Sequence, residues 1–385
     1  MADAFENILG QPQVREFLRA SVVSERVTQA YLFVGPAGSN KTSAAYALAQ
    51  ALLCPKGPHG PRGGLCGACD QCGRIARRKH PDVRYFAPEG AAGYLVEQVR
   101  DIVSDTALAP IQSTRKIYIL DRVDQLGVSA ANSFLKTLEE PADDVVFILL
   151  ARTRESVLPT ILSRCQVVPF RHIPASEAAA IVSQNTGAPT DQARIAIEAC
   201  GGSITGAVGF LRAPNNERLA FRTQLFENLF RLPYADDWDV LEMAADMVKA
   251  SQAPLDAMRE SQEAELAENA DFLQKSALRE IERRHKRQLS AKTRESLRQT
   301  LSLTRSWLRD GLMLVSGTPE LVINVDVIDR LSEVFAGLAP APLAAAAAKV
   351  DACERALAYN VSPETCIDTL LFDVREVLHG SGSTD

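Results

Sequence analysis

Tyr31-Leu-Phe-Val-Gly-Pro-Ala-Gly-Ser-Asn-Lys-Thr42 is the stretch whose reading decides the fold of the first half of this chain. Four apolar residues end at Gly35, a short loop follows, and an apolar helix is expected from Thr42 to Leu53. This is the strand–loop–helix context of a phosphate-binding loop. Such a loop folds its backbone N–H groups around phosphate oxygens, while a lysine adds a point charge and a Ser/Thr hydroxyl reaches Mg²⁺. Gly35, Lys41 and Thr42 fit the spacing G-x-x-x-x-G-K-[ST], with Gly38 inside the loop and Asn40 where the second glycine belongs. Asn is the non-glycine residue that best tolerates a left-handed backbone, so the loop can still form, with weakened or altered phosphate binding. The rival reading is a Gly-rich turn that holds no nucleotide; Lys-Thr at the helix start argues against it.

The chain has 385 residues, enough for two or three domains, and its 46% hydrophobic and 23% charged residues are those of a soluble globular protein. A net charge of −6 argues against a strongly basic nucleic-acid binder. The N-terminus lacks the regions of a signal peptide, and no stretch reaches the length of an apolar membrane span; Ala341–Val350 is alanine-rich but too short. A cytoplasmic location is expected. Eight cysteines in such a chain point to metal rather than disulfides.

Cys54, Cys66, Cys69 and Cys72 carry that reading. Their spacing, C-x11-C-x2-C-x2-C, turns successive sulfurs toward one centre and can close a tetrahedral, structural Zn²⁺ site. His59 is a substitute ligand, with Cys54 preferred. Arg74, Arg77, Arg78 and Lys79 follow as a basic helix face, read first as solvated and second as a phosphate or partner contact. Upstream, Gln11 and Pro12 precede a helix with Val14, Phe17, Leu18 and Val22 on one side. They either lie over a nucleotide base or form a plain surface cap.

Val83, Tyr85 and Phe86 mark a second strand, and Tyr94–Leu108 a helix carrying Val96, Val99, Ile102 and Val103 inward. Ile117–Leu120 followed by Asp121 reads as a buried parallel strand ending in a Walker-B carboxylate. In hydrolysing relatives of this architecture a glutamate follows and polarises the attacking water. Here the residue is Arg122, a cation that cannot serve as base, and Asp124 is two residues too far on. Ser129–Glu140 is expected as a helix stopped by Pro141, and Val145–Leu150 as a further strand, with Arg152 or Thr153 at its end as a candidate γ-phosphate sensor. Arg164 lies between a short helix and a short strand; on spacing alone it reads as a surface arginine with local bonds.

As an ordered set, several segments make the chain resemble the AAA+ subunits of the bacterial clamp loader within the DNA polymerase III holoenzyme, most closely the delta-prime type. They are Gly35–Thr42, the four cysteines, His80-Pro-Asp, Leu135-Lys-Thr-Leu-Glu-Glu-Pro141 and Ser163-Arg-Cys165. The resemblance spans about residues 5 to 170. It implies a hetero-pentamer with gamma/tau and delta subunits that opens a sliding clamp and loads it on primer–template DNA. It also implies that Arg164 is a trans-acting arginine finger completing the ATP site of a neighbouring subunit, an effect worth roughly 10³–10⁵ in rate.

Asn40, Arg122 and the missing sensor-2 arginine near Thr205 are three departures from the motor pattern. They imply a member that does not hydrolyse ATP, although Lys41, Thr42 and Asp121 remain for ATP and Mg²⁺. The alternative is a gamma/tau-like ATPase motor. A third reading, a DNA-binding AAA+ protein outside replication, is opposed by the acidic charge and the Ser-Arg-Cys motif. No palm-type carboxylate set is seen, so a DNA-directed polymerase (nucleotidyltransferase) activity would belong to the holoenzyme and not to this chain.

The expected organisation is an α/β AAA+ P-loop domain at 1–170, a parallel sheet with helices and an inserted zinc module at 54–72. A small helical lid follows at 171–213, then an all-α collar at 214–378 and a disordered tail at 379–385. Helices are expected over Ile173–Gln192 and Ala193–Leu211, with a hinge at Pro214-Asn-Asn. A mostly charged helix is expected over Ala264–Gln288, with Leu266, Phe272, Leu273 and Ile281 as its apolar positions. It ends in the basic run Arg283–Arg287, read as a solvated helix end with DNA or a partner as the second reading. A second helix is expected from a cap at Ser290 to Val315, with Leu297, Leu301, Trp307 or Leu308, and Leu312 as core or subunit interface. Pro319–Leu338, Pro342–Tyr359 and Ser362–Leu378 read as the remaining helices.

Overall fold

The computed structural model describes residues 4–56, 66, 69–90, 93–200, 202–212, 217–252, 255–269, 275–358 and 361–379. His59, the hinge at 214–216, Phe272, Leu273 and the tail after His379 lie outside them. The chain divides into two compact units, 1–185 with 202–206, and 186–201 with 207–385.

The first unit holds α1 (Pro12–Val23), β1 (Ala30–Val34), α2 (Lys41–Leu53), α3 (Asp70–Ala76), β2 (Val83–Phe86), α4 (Val96–Thr106) and β3 (Lys116–Leu120). It continues with α5 (Val128–Glu139), β4 (Val145–Ala151), α6 (Pro159–Leu162), β5 (Gln166–Pro169) and α7 (Ala175–Thr186), whose last residue falls to the second unit. The five strands form one sheet in the order β2-β3-β4-β1-β5, every pair parallel. Leu32 at the centre lies opposite Leu149 on one side and Val167 on the other.

Strands buried on both faces read as continuous apolar runs, which is why β1, β3 and β4 could be found from the sequence. Alternate residues divide between two cores. Tyr31, Phe33, Ile117, Ile119 and Ile148 pack with α1 and α2, while Leu32, Tyr118, Leu120, Phe147 and Leu149 pack with α4 and α5. Phe147 meets Phe134 of α5 edge to face at 5.0 Å; truncating it to Ala would cost about 3–5 kcal/mol. On α1, Val14, Leu18 and Val22 are buried at four-residue intervals, but Phe17 is 40% exposed, one step outside that stripe.

The second unit holds α8 (Thr190–Ala199), most of α9 (Ile204–Arg212), α10 (Glu217–Arg231), α11 (Asp237–Gln252), α12 (Asp256–Asn269), α13 (Lys275–Val315), α14 (Ile328–Val334), α15 (Pro340–Ala358) and α16 (Pro363–His379). Three helices, α7 to α9, replace the two expected between 173 and 211. Gly187 and Gly202, both with positive φ, interrupt the helical register there. Ser290 is not a cap. It sits inside α13, which runs unbroken for 41 residues, with no Pro and one Gly, Gly311, near its C-terminal end. Leu266 falls on α12 and Ile281 on α13; residues 270–274 between them lie outside the described residues. Pro319–Leu338 forms two 3-10 turns and the short α14. His379 closes α16 and is not part of a tail.

Leu297, Leu301, Trp307 and Leu308 are fully buried, so this stripe is core. Trp307 packs on Phe335 and Phe230, at 4.6 and 5.9 Å between ring centres. Several polar groups inside the same core are paired, while Trp307 Nε1 and Arg222 Nε are buried without a hydrogen-bond partner. The fully buried Asp310 accepts from the backbone N–H groups of Ile323 and Asn324, and Arg222 grips Asp326 with two bonds of 2.8 Å.

Candidate nucleotide site and metal centre

The loop between β1 and α2 is held by close approach. A Cβ on Gly35 would lie 2.6 Å from the Phe170 carbonyl oxygen, and one on Gly38, at φ +76°, 2.6 Å from that of Gly202. Asn40 is left-handed at φ 66° and ψ 21°, the conformation the sequence argument required of it. Its side chain is fully engaged. Nδ2 donates to the Leu9 carbonyl at 2.8 Å, and Oδ1 accepts from the Thr205 hydroxyl at 3.0 Å. Thr205 also meets the Ser43 hydroxyl at 2.9 Å. Thr205 is thus bonded to the residue that stands in place of the second loop glycine.

Lys41 folds back on its own loop. Nζ donates to the carbonyls of Gly35 at 2.5 Å and Pro36 at 2.7 Å. Burial pulls its ammonium down to about 8, resisted by Asp121 and Asp124 and aided by Arg152. Thr42 occupies the first turn of α2, half-buried. Gln11 is not a plain surface cap. It is 2% exposed, and its amide donates to the carbonyls of Ser39 at 3.2 Å and Arg171 at 2.8 Å and accepts the Arg171 N–H.

Asp121 stands at the end of β3 as expected. Its carboxylate accepts from the Tyr85 hydroxyl at 2.9 Å and from the Arg122 N–H at 3.0 Å. Tyr85, one of the apolar positions that mark β2, lies on this edge strand 40% exposed, with its ring stacked on Tyr46. Arg122 is left-handed at φ 51°, and Asp124 accepts the Arg152 N–H at 3.3 Å. Thr153 bonds Ser156, a local turn contact.

Arg164 stands after α6. It donates through Nε to Glu139 at 2.6 Å, and through Nη1 to the Thr160 carbonyl at 2.8 Å and the Ser163 hydroxyl at 3.1 Å. Glu139 closes α5, inside the quoted Leu135–Pro141 motif, so two of the family segments meet in one ion pair.

The sulfurs of Cys54, Cys66, Cys69 and Cys72 lie within 4.8 Å of one another, and those of Cys54 and Cys69 are 3.9 Å apart. A tetrahedron with Zn–S bonds of about 2.3 Å has edges of about 3.8 Å, so the set fits one metal ion with modest closure. Cys54 caps the end of α2 and Cys69 the start of α3, placing two ligands on fixed elements. The Cys69 N–H points at Cys66 Sγ at 3.2 Å, and that of Cys72 at Cys69 Sγ at 3.5 Å; such donors stabilise thiolates. Gln50 of α2 holds the Cys72 carbonyl at 2.9 Å.

The role of His80-Pro-Asp is visible only in the fold. His80 meets the Gln71 amide of α3, and its Nδ1 accepts the Asp82 N–H at 3.1 Å. Asp82, fully buried, accepts the backbone N–H groups of Ile111, Gln112 and Ser113 at 2.6, 2.8 and 2.8 Å. The motif braces the cysteine module against the start of β2 and the loop before β3. Arg74 pairs with Asp70 at 2.8 Å, and Arg78 stacks over Tyr46, so half of the basic face has local partners.

A five-stranded parallel sheet with a lysine loop after β1 and an aspartate at the end of β3 defines an AAA+ domain of the P-loop class. Residues 10–174 match the family described as DNA polymerase III, delta subunit. The chain is similar to subunit delta' of Bacillus subtilis, 36% identical over 161 residues, covering 42% of this chain and 47% of that one. It is similar to subunit tau of the same organism, 37% over 169 residues, 44% and 29%. It also resembles gamma/tau of Mycobacterium tuberculosis strain H37Rv, 32% over 205 residues, 52% and 35%. The chain thus spans less than half the length of these curated relatives, and the matched region is a member of the bacterial clamp-loader AAA+ family.

Proposed function

We propose that the chain acts as a delta-prime-like, non-hydrolysing subunit of the DNA polymerase III clamp loader. It works in the cytoplasm with gamma/tau and delta subunits to load a sliding clamp on primed DNA. The observation that carries this reading is the state of the loop. Asn40 is tied to Leu9 and Thr205, and a cation, Arg122, follows the Walker-B aspartate. A hydrolytic site needs a loop free to wrap phosphate oxygens and a base beside the metal. Lys41, Thr42 and Asp121 keep partial equipment for ATP and Mg²⁺. Arg164 supplies the trans finger, released from Glu139 when a neighbouring ATP site presents a stronger anion. The four cysteines hold a Zn²⁺ ion whose bonds close the module between α2 and α3.

Among the described residues no helix is long and apolar enough to cross a membrane. The test is ATP turnover by the purified chain with Mg²⁺ and primed DNA. Absence of turnover above background supports the silent subunit. Steady turnover lost in Lys41→Ala replaces it with the gamma/tau-like motor, the reading that the similar identity to tau keeps in view.

A further inference from the structure

One side of α11 is core: Val240, Met243, Ala244 and Met247 are all buried. The other side carries Trp238, 76% exposed, and Leu241, 41% exposed, and Tyr234, 84% exposed, stands in the turn that leads into the helix. These aromatics stand on a braced element. The Asp239 N–H donates to the Asp236 carboxylate at 2.8 Å and the Asp236 N–H to that of Asp239 at 3.1 Å, a reciprocal cap. From α16, Arg375 donates to the Ala235 carbonyl at 3.0 Å and pairs with Asp237.

Helical spacing divides the solvent side lengthwise. Trp238, Leu241 and Ala245 follow one line, and Asp239, Glu242 and Asp246 the adjoining one, with Lys249 a turn further on. An acidic stripe beside the aromatics repels phosphate backbones and anionic headgroups, which opposes base stacking or a membrane interface here. It complements a positive surface, and exposed Trp and Tyr are the side chains that anchor protein interfaces. We propose that this face docks a cationic amphipathic helix of a partner protein. The apolar side of that helix covers Trp238 and Leu241, and its Lys or Arg residues lie over Asp239, Glu242 and Asp246. The inference uses neither the loop nor Arg164, so it stands or falls apart from the clamp-loader reading.

Trp238 and Trp307 are the chain's two tryptophans, and Trp307 is fully buried, so a change in long-wavelength emission reports Trp238. The whole chain is titrated with three synthetic peptides: a helical Leu/Lys amphipath, the same composition scrambled, and a Leu/Glu amphipath. The expected result is a saturable blue shift with the Leu/Lys helix. Scrambling, or Glu242→Gln with Asp246→Asn, weakens it by about tenfold, and added salt weakens it further. Anisotropy of a labelled Leu/Lys peptide reports the same loss in Trp238→Ala. No saturable binding, or equal binding of the Leu/Glu peptide, overturns the proposal. Quenching of Trp238 by a single-stranded oligonucleotide reassigns the face to nucleic acid. A concentration-dependent dimer in sedimentation that Trp238→Ala abolishes reassigns it to a second copy of the chain.

Discussion

The Thr205 hydroxyl donates to Asn40 Oδ1 at 3.0 Å, so the residue standing where a phosphate-binding loop carries its second glycine is bonded to a side chain 165 residues further on. Two substitutions that the sequence presents as separate losses are halves of one contact. Asn40 adds a second tie through Nδ2 to the Leu9 carbonyl, and the loop is thereby closed by its own side chains.

Asn40→Gly tests that closure. Glycine accepts φ 66° without strain, so the backbone is kept while both ties are lost. The expected outcome is a stability loss of about 1–2 kcal/mol in urea titration, from two net hydrogen bonds. Binding of a fluorescent ATP analogue, followed by anisotropy, is expected to tighten by about tenfold because the loop is freed. Unchanged affinity would mean that the Lys41 contacts with Gly35 and Pro36, not Asn40, limit binding.

The first unit was legible because its signals are local. β1, β3 and β4 are continuous apolar runs, and the loop and the CxxCxxC cluster announce themselves by spacing. The partners of those residues were not legible. Thr205 lies 165 residues from Asn40, Ser113 lies 31 from Asp82, and no periodicity links them. Nor was the task of Tyr85 legible, since an edge strand can turn an aromatic ring outward and use its hydroxyl, here on Asp121. The break imagined at Ser290 failed for a different reason. A cap residue stops nothing without a glycine or proline beside it, and α13 has neither before Val315 except Gly311, deep in its packed last turns.

Asp82 gives a pH prediction. Burial alone would raise its carboxyl, but the N–H groups of Ile111, Gln112 and Ser113, with His80, outweigh it and hold the group below the ordinary carboxylate range. A depressed carboxylate contributes stability above its unfolded value and loses it as pH falls through the folded one. Asp82→Ala is expected to cost about 2–4 kcal/mol at neutral pH, because three buried donors lose their acceptor. The gap between wild type and variant should close below about pH 4, read by urea titration across that range. A gap that stays constant into acid would show that packing, not charge, is what the variant removes.

The cysteine module is expected to hold about one zinc ion per chain, released on thiol modification and measured with a colorimetric chelator. Cys69→Ser removes a ligand that also caps α3, so it should abolish the tightly held ion and melt the module. The sheet should survive, because Asp82 anchors β2 through backbone donors outside the module. Circular dichroism would show a small helical loss, and limited proteolysis would cut near residues 54–79. Full zinc retention in the variant would point to a three-sulfur site.

Arg164→Ala separates a structural arginine from a finger. Its bond to Glu139 is a part-exposed pair, 30% and 46% by side chain, worth about 0–1 kcal/mol. The variant should therefore melt within a few degrees of the wild type and still assemble. In a loader reconstituted with gamma/tau and delta subunits, clamp- and DNA-stimulated ATP turnover at the neighbouring site should fall by roughly 10³-fold or more, the scale of a trans arginine. Glu139→Ala provides the complementary arm. It unties Arg164 while leaving the guanidinium in place, so turnover should be kept or rise slightly. If both variants reduce turnover equally, the Arg164–Glu139 pair is acting as a brace between α5 and α6, and the finger assignment fails.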